Sequence, residues 1–286
     1  IGESYLINKL VKAETFGDIA VMLESTAFLS QLALFGRQWV TLAYLPVYQV
    51  SKQLGKIIGL MRFNIGAVAA SSLVTGTVFF IFYVLSNQPS IGYLPAYHLV
   101  VFVALMVPIA SISTLLATAL VAMGFPILSN SLERVARPTV SLLIYIFFVY
   151  VGKGFEPVYT VMIWSGTTIA LICVIVFCIW SVMYRHIYHA TAEYESSLWL
   201  RKGIAPMIYE LCRRGVVVGS LVLEEVLHHD EVLVAVYAVS IGLAEIIFVV
   251  FRGVVINLAL PSIAAVFPKY KDTQERLNRL FLFILF

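Results

Sequence analysis

The sequence predicts an all-α fold, a polytopic transmembrane helical bundle, on three observations. Hydrophobic residues make up 61% of the 286 and charged residues only 12%, against about 25% charged in a soluble chain. Mean hydropathy is +0.95, and several apolar stretches reach the ~20 residues needed to cross ~30 Å of hydrocarbon. The loops between them alternate between basic and charge-poor. Alternate loops fall on alternate faces of a bilayer, and the basic ones stay in the cytosol.

Each element follows in chain order. The first span covers 18–45 and leads into a basic loop with Lys52, Lys56 and Arg62. The second covers 63–85, and the connection 86–97 after it carries no charge, which places it on the opposite face. The third covers 99–123 and holds Pro108, a residue that kinks helices. Arg134 and Arg137 then return the chain to the cytosolic face. The fourth span covers 138–151, extended backward as helix through Ser131. A short turn whose basic residue is Lys153 leads to the fifth, 158–184. The sixth covers 204–227, and the turn 228–231 has no Lys or Arg. The seventh runs from 232 to about 260, and an eighth begins near Leu280 after Lys269, Lys271, Arg276 and Arg279.

The connection 185–203 is the longest polar insertion, with Glu193, Glu195, Arg185, Arg201 and Lys202. It divides the chain into a first lobe, residues 1–190, a cytosolic linker, 191–203, and the start of a second lobe, 204–286. An internal repeat supports two lobes. Phe16-Gly17-Asp18 opens a span ending in Leu45-Pro46, Tyr48 and the basic loop to Arg62. Roughly 220 residues later, Val236-Tyr237-Ala238 opens a stretch ending in Leu260-Pro261, Tyr270-Lys271 and Arg276. The segments 16–62 and 234–279 should therefore superimpose. The chain opens at Ile1 and closes within the apolar run 280–286, which reads as a piece of a longer protein.

Three patches carry a family likeness. One is Thr15-Phe16-Gly17 with Gly59-Leu60-Met61-Arg62-Phe63. The second is 119–124 followed by Leu132-Glu133-Arg134 and Arg137-Pro138. The third is Val236-Tyr237-Ala238 running to Leu260-Pro261. In their order the sequence resembles the polysaccharide flippase family of the multidrug/oligosaccharidyl-lipid/polysaccharide exporter superfamily. The resemblance implies two six-helix lobes around a central cavity. On that map 1–190 holds the end of the first family helix plus five transmembrane helices. The second lobe is truncated after two helices and the beginning of a third. The implied activity is translocation of a lipid-linked oligosaccharide or polysaccharide repeat unit across the bacterial inner membrane by alternating access. At Gly36-Arg37 the chain departs from many relatives, which carry an acidic residue there.

Ionisable groups at membrane depth cost about 2.5–3.5 kcal/mol each on insertion scales, so they face a cavity or a partner. The basic ones here are Arg37, Arg213, Arg214 and Arg252, and they form the candidate substrate-binding set. A guanidinium suits a phosphate through paired hydrogen bonds, and a polyprenyl-pyrophosphate sugar presents one. Arg213 and Arg214 lie near the midplane, Arg37 and Arg252 in the cytosolic half, so the four ring one end of a single cavity. Glu24, Glu210 and Glu245 are supporting or ion-coupling candidates, and Glu224 and Glu225 lie near the periplasmic end. Local neutralisation is the competing account: Glu210 precedes Arg213 and Arg214 by one helical turn. The tyrosines and tryptophans near span ends, Tyr44, Tyr48 and Trp199 among them, form interfacial belts.

Cys173, Cys178 and Cys212 sit inside apolar segments without ligand spacing, which reads as buried small hydrophobes and no metal site. No cofactor is implied. The partners implied are the lipid-linked sugar, membrane lipids and polysaccharide biosynthesis enzymes, and no nucleic acid, since the net charge of +3 sits in membrane-flanking loops. A drug or metabolite antiporter of the same superfamily is the alternative transporter. A membrane-embedded polysaccharide polymerase or ligase is the alternative enzyme. The chain carries no HExxH, GxSxG, P-loop or paired-carboxylate motif, so no enzyme is expected.

Overall fold

The computed structural model describes residues 13–86, 97–136, 157–185 and 190–228, with isolated positions at 139, 140, 143, 236, 237 and 240. The described residues are mostly helical, with no strand among them. The helices are α1 (Ala13–Leu34), α2 (Arg37–Val50), α3 (Leu54–Ser86), α4 (Tyr97–Ala122), α5 (Pro126–Ser131), α6 (Pro157–Tyr184) and α7 (Ser196–His228), with a π-helical turn (Leu132–Ala136) after α5. Two stretches are long and apolar enough to cross a membrane, Leu54–Phe82 and Val100–Ala122, and Gly166–Ile179 is a shorter apolar stretch.

The expected first span, 18–45, is two helices. Phe35 and Gly36 both take the left-handed backbone, with φ of 48° and 69°, and end α1. Non-glycine residues are rare there, so Phe35 is held by its surroundings. The cause is a helix crossing: a Cβ on Gly36 would run into the Gly203 backbone carbonyl of α7. Two backbones touch, and only glycine fits. Gln38 Nε2 donates to Gln31 Oε1 at 2.9 Å, bridging the break.

The α2–α3 connection is shorter than expected. Lys52 takes φ 55°, the Gln53 N–H donates to the Tyr48 carbonyl at 2.9 Å, and α3 begins at Leu54. Lys56 and Arg62, expected in a loop, are therefore helical. At about 1.5 Å per residue the 33 residues of α3 are longer than the ~30 Å thickness of a bilayer's hydrocarbon. The expected linker also shrinks. Residues 191–195 have no regular secondary structure, and α7 begins at Ser196, which puts Trp199, Arg201 and Lys202 on the helix.

The main core joins α2, α3, α4, α6 and the start of α7. Leu45 and Tyr48, Ile57, Leu60 and Met61, Leu116 and Leu120, Ile172 and Val176, and Trp199 form one buried cluster. The α2–α3 turn, the end of α4 and the start of α7 thus share one end of the bundle. A Cβ on Gly76 would lie 2.8 Å from the Ala104 carbonyl. A backbone approach this close draws α3 and α4 together without large side chains. Leu73, Val74, Val78, Ile81, Phe82 and Leu85 remain exposed along the far half of α3. Cys178 and Cys212 are exposed and Cys173 half-buried. That corrects their reading as buried: an apolar helix of this kind turns one face outward.

The expected spans at 138–151 and 232–260, the start of an eighth near Leu280 and the repeat 234–279 lie outside the described residues, apart from the isolated positions above.

Candidate functional site

The break in α1–α2 places Arg37 at the first position of α2. Its side chain is 1% exposed. The guanidinium carbon lies 5.8 Å from the Phe35 ring centre and 5.2 Å from that of Phe63 on α3. Such contacts contribute about 2 kcal/mol each when desolvated, comparable to the ~2.5–3.5 kcal/mol cost of placing the charge at depth. The rings act on the face of the cation. Its N–H donors point in the guanidinium plane, and Nε and Nη1 are buried without a hydrogen-bond partner.

A second unmet group lies in the same layer. Asn64 of α3 is fully buried. Its Nδ2 donates to Thr41 Oγ1 at 3.0 Å, and Thr41 Oγ1 donates to the Arg37 carbonyl at 2.9 Å. Asn64 Oδ1 has no partner. A buried polar group left unmet costs about 1–3 kcal/mol, and the Arg37 donors and the Asn64 acceptor are two such groups, joined through Thr41. Asn64 was not among the candidates from sequence. Its signal was an amide standing alone inside an apolar stretch.

Arg213 and Arg214 are partly buried on α7 and each has a carboxylate. Arg213 Nε lies 3.2 Å from Glu210 Oε2, one turn earlier on the same helix. Arg214 Nη1 lies 3.3 Å from Glu24 Oε2 of α1, so this pair crosses between helices. Glu210 is 3% exposed. Gly203 meets Gly36, and Arg213 follows ten residues later on α7, about 15 Å along the axis. Arg37 and the Arg213–Arg214 pair therefore stand at two levels. Arg252 and Glu245 lie outside the described residues, and of Glu224 and Glu225 only the helical backbone is described.

No group of His, Cys, Asp and Glu among the described residues could hold a metal ion. Comparison with protein families, with curated proteins and with solved structures finds no match.

Proposed function

We propose that this protein is a multi-pass membrane transporter that carries a lipid-linked oligosaccharide or polysaccharide repeat unit across the bacterial inner membrane. The observation that carries the reading is Arg37: buried, charged and with Nε and Nη1 lacking a hydrogen-bond partner, at the point where a long helix is broken. Discontinuous helices at depth are a feature of transporters, because a broken helix offers a ligand both backbone ends and side chains. A phosphate would accept from the Arg37 donors. A hydroxyl of the attached sugar would donate to Asn64 Oδ1. The two apolar spans and the alternating loop charge support a membrane setting.

The second level, Arg214 with Glu24 and Arg213 with Glu210, supplies cations already balanced by carboxylates. An arriving anion must displace a carboxylate there. Binding at that level is weaker than at Arg37, which suits a substrate that has to leave. Alternating access requires such a difference in affinity between states.

The test uses the full protein in proteoliposomes. The probe is a short-chain polyprenyl-pyrophosphate oligosaccharide carrying a dithionite-quenchable fluorophore. Arg37→Ala should abolish the protein-dependent rise in quenchable probe. Arg37→Lys should restore part of it, since it keeps the charge and loses the planar fork. Parental rates in both variants, with normal insertion, would overturn the reading. Parental uptake of a cationic drug lost on Glu24→Gln, with no movement of the probe, would favour the antiporter instead.

A further inference from the structure

The strap 191–195 lies in a groove built for a backbone. Gly55 and Gly59 are one turn apart on one face of α3. A Cβ on Gly55 would lie 2.6 Å from the Thr191 carbonyl oxygen, and a Cβ on Gly59 would collide with the Glu193 carbonyl. The Glu193 N–H donates to the Gly55 carbonyl at 2.9 Å. Four side chains then close over the strap's end. Glu195 Oε1 pairs with Lys56 Nζ at 2.6 Å, and its Oε2 accepts from the Tyr48 hydroxyl at 2.7 Å. The Trp199 indole N–H donates to the same hydroxyl at 3.1 Å. Trp199 is fully buried, with its ring 5.6 Å from that of Phe63.

The rest of the strap is lightly held. Thr191, Glu193 and Tyr194 are exposed, and the strap's backbone makes one hydrogen bond to α3. The first turns of α7 also have a place to bend. Gly203 crosses Gly36 backbone to backbone, and Pro206 stands inside the helix three residues on. Proline there removes the N–H that would bond the Lys202 carbonyl.

We propose that the strap and the first turns of α7 form a releasable latch, hinged at Gly203–Pro206, with a seated state on α2–α3 and a lifted state. When seated, Trp199 closes the core at the end where α2, α3 and α4 meet. When lifted, the strap leaves the Gly55–Gly59 groove as one piece, because its polar ties and its single buried ring join the same three partners, Tyr48, Lys56 and Phe63. α7 beyond the hinge stays in place, held by Arg214 on Glu24. The latch goes beyond the transport reading and does not rest on it.

The test measures distances between nitroxide labels on the full protein in lipid, with other native cysteines replaced. One pair sits at Gln53→Cys and Ser197→Cys, both exposed positions. The second joins Gln53→Cys to native Cys212, exposed and beyond the hinge. Gly59→Ala wedges a methyl into the groove. The first pair should lose its short-distance population and the second should keep its distance. Glu195→Gln, which leaves the groove intact, should shift the first pair the same way and serves if Gly59→Ala fails to fold. An unchanged first pair in both variants would overturn the latch. So would equal lengthening of both pairs, because α7 would then be moving whole.

Discussion

A charge inside an apolar layer is informative only when its partners are known, and Arg37 and Arg213 show both cases. Both were legible in the sequence as arginines in apolar stretches. The sequence also offered the partner for Arg213, because Glu210 stands one turn away. Nothing local marked Arg37 as lacking one: its contacts, Phe35 and Phe63, come from a backbone reversal and from another helix. In the sequence Tyr48 reads as an interfacial ring. It is instead the joint between Trp199 and Glu195, 151 and 147 residues away, a separation that no local pattern reveals. Tyr48→Phe should leave the buried Trp199 N–H without an acceptor and cost about 1–3 kcal/mol, read as a lower unfolding midpoint in detergent.

Glu195 adds a pH expectation at the same scale. The hydrogen bonds from Lys56 and Tyr48 hold its carboxyl below the usual carboxylate range, against a smaller opposing effect of burial. A depressed value in the folded state stabilises above the ordinary carboxylate value of about 4.3. That contribution is lost as pH falls through the folded value. Lys56 and Tyr48 face the carboxylate, and Glu193 stands nearby on the strap, exposed. The stability difference between the parent and Glu195→Gln should be flat at neutral pH and shrink below about 4. A difference that changes around neutral pH would point to a histidine and sink the assignment.

At the scale of elements, hydropathy located the apolar helices well and their ends poorly. Second and third spans expected at 63–85 and 99–123 became Leu54–Ser86 and Tyr97–Ala122. The charged first turns of α3 and α7 read as loop in the sequence because hydropathy reports apolarity, and a helix does not stop where its apolar residues do. The break at Phe35–Gly36 had a local signal in the glycine, but its reason is the crossing with Gly203. Gly36→Ala meets two penalties, a left-handed backbone and a collision with backbone. Gly203→Ala meets one, a 3.1 Å approach to the Phe35 carbonyl. Gly36→Ala should therefore be the more damaging, by at least the 1–2 kcal/mol that a left-handed residue costs. Thermal unfolding of the two variants side by side checks the order, and equal effects would mean that the crossing alone matters.

For the whole molecule, two statements about sides of the membrane rest on different grounds and can be tested apart. The structure joins the α2–α3 turn and the strap at one end, through Lys56 on Glu195 and Tyr48 on Trp199. Gln53 and Ser197 must therefore report the same side whichever way the protein inserts. The loop charges make the further claim that this end is cytosolic and that 86–97 faces the periplasm. A membrane-impermeant maleimide applied to spheroplasts should label Ser90→Cys and leave Gln53→Cys and Ser197→Cys until the membrane is opened. Labelling of Gln53→Cys and Ser197→Cys from opposite sides would contradict the packing. Labelling of both from outside, with Ser90→Cys protected, would keep the packing and reverse the orientation. Arg37 stands between the break and the latched end, so that reversal would also place it in the periplasmic half. There it would no longer meet a pyrophosphate presented on the cytosolic leaflet, and the transport reading proposed for this chain would fail with the topology.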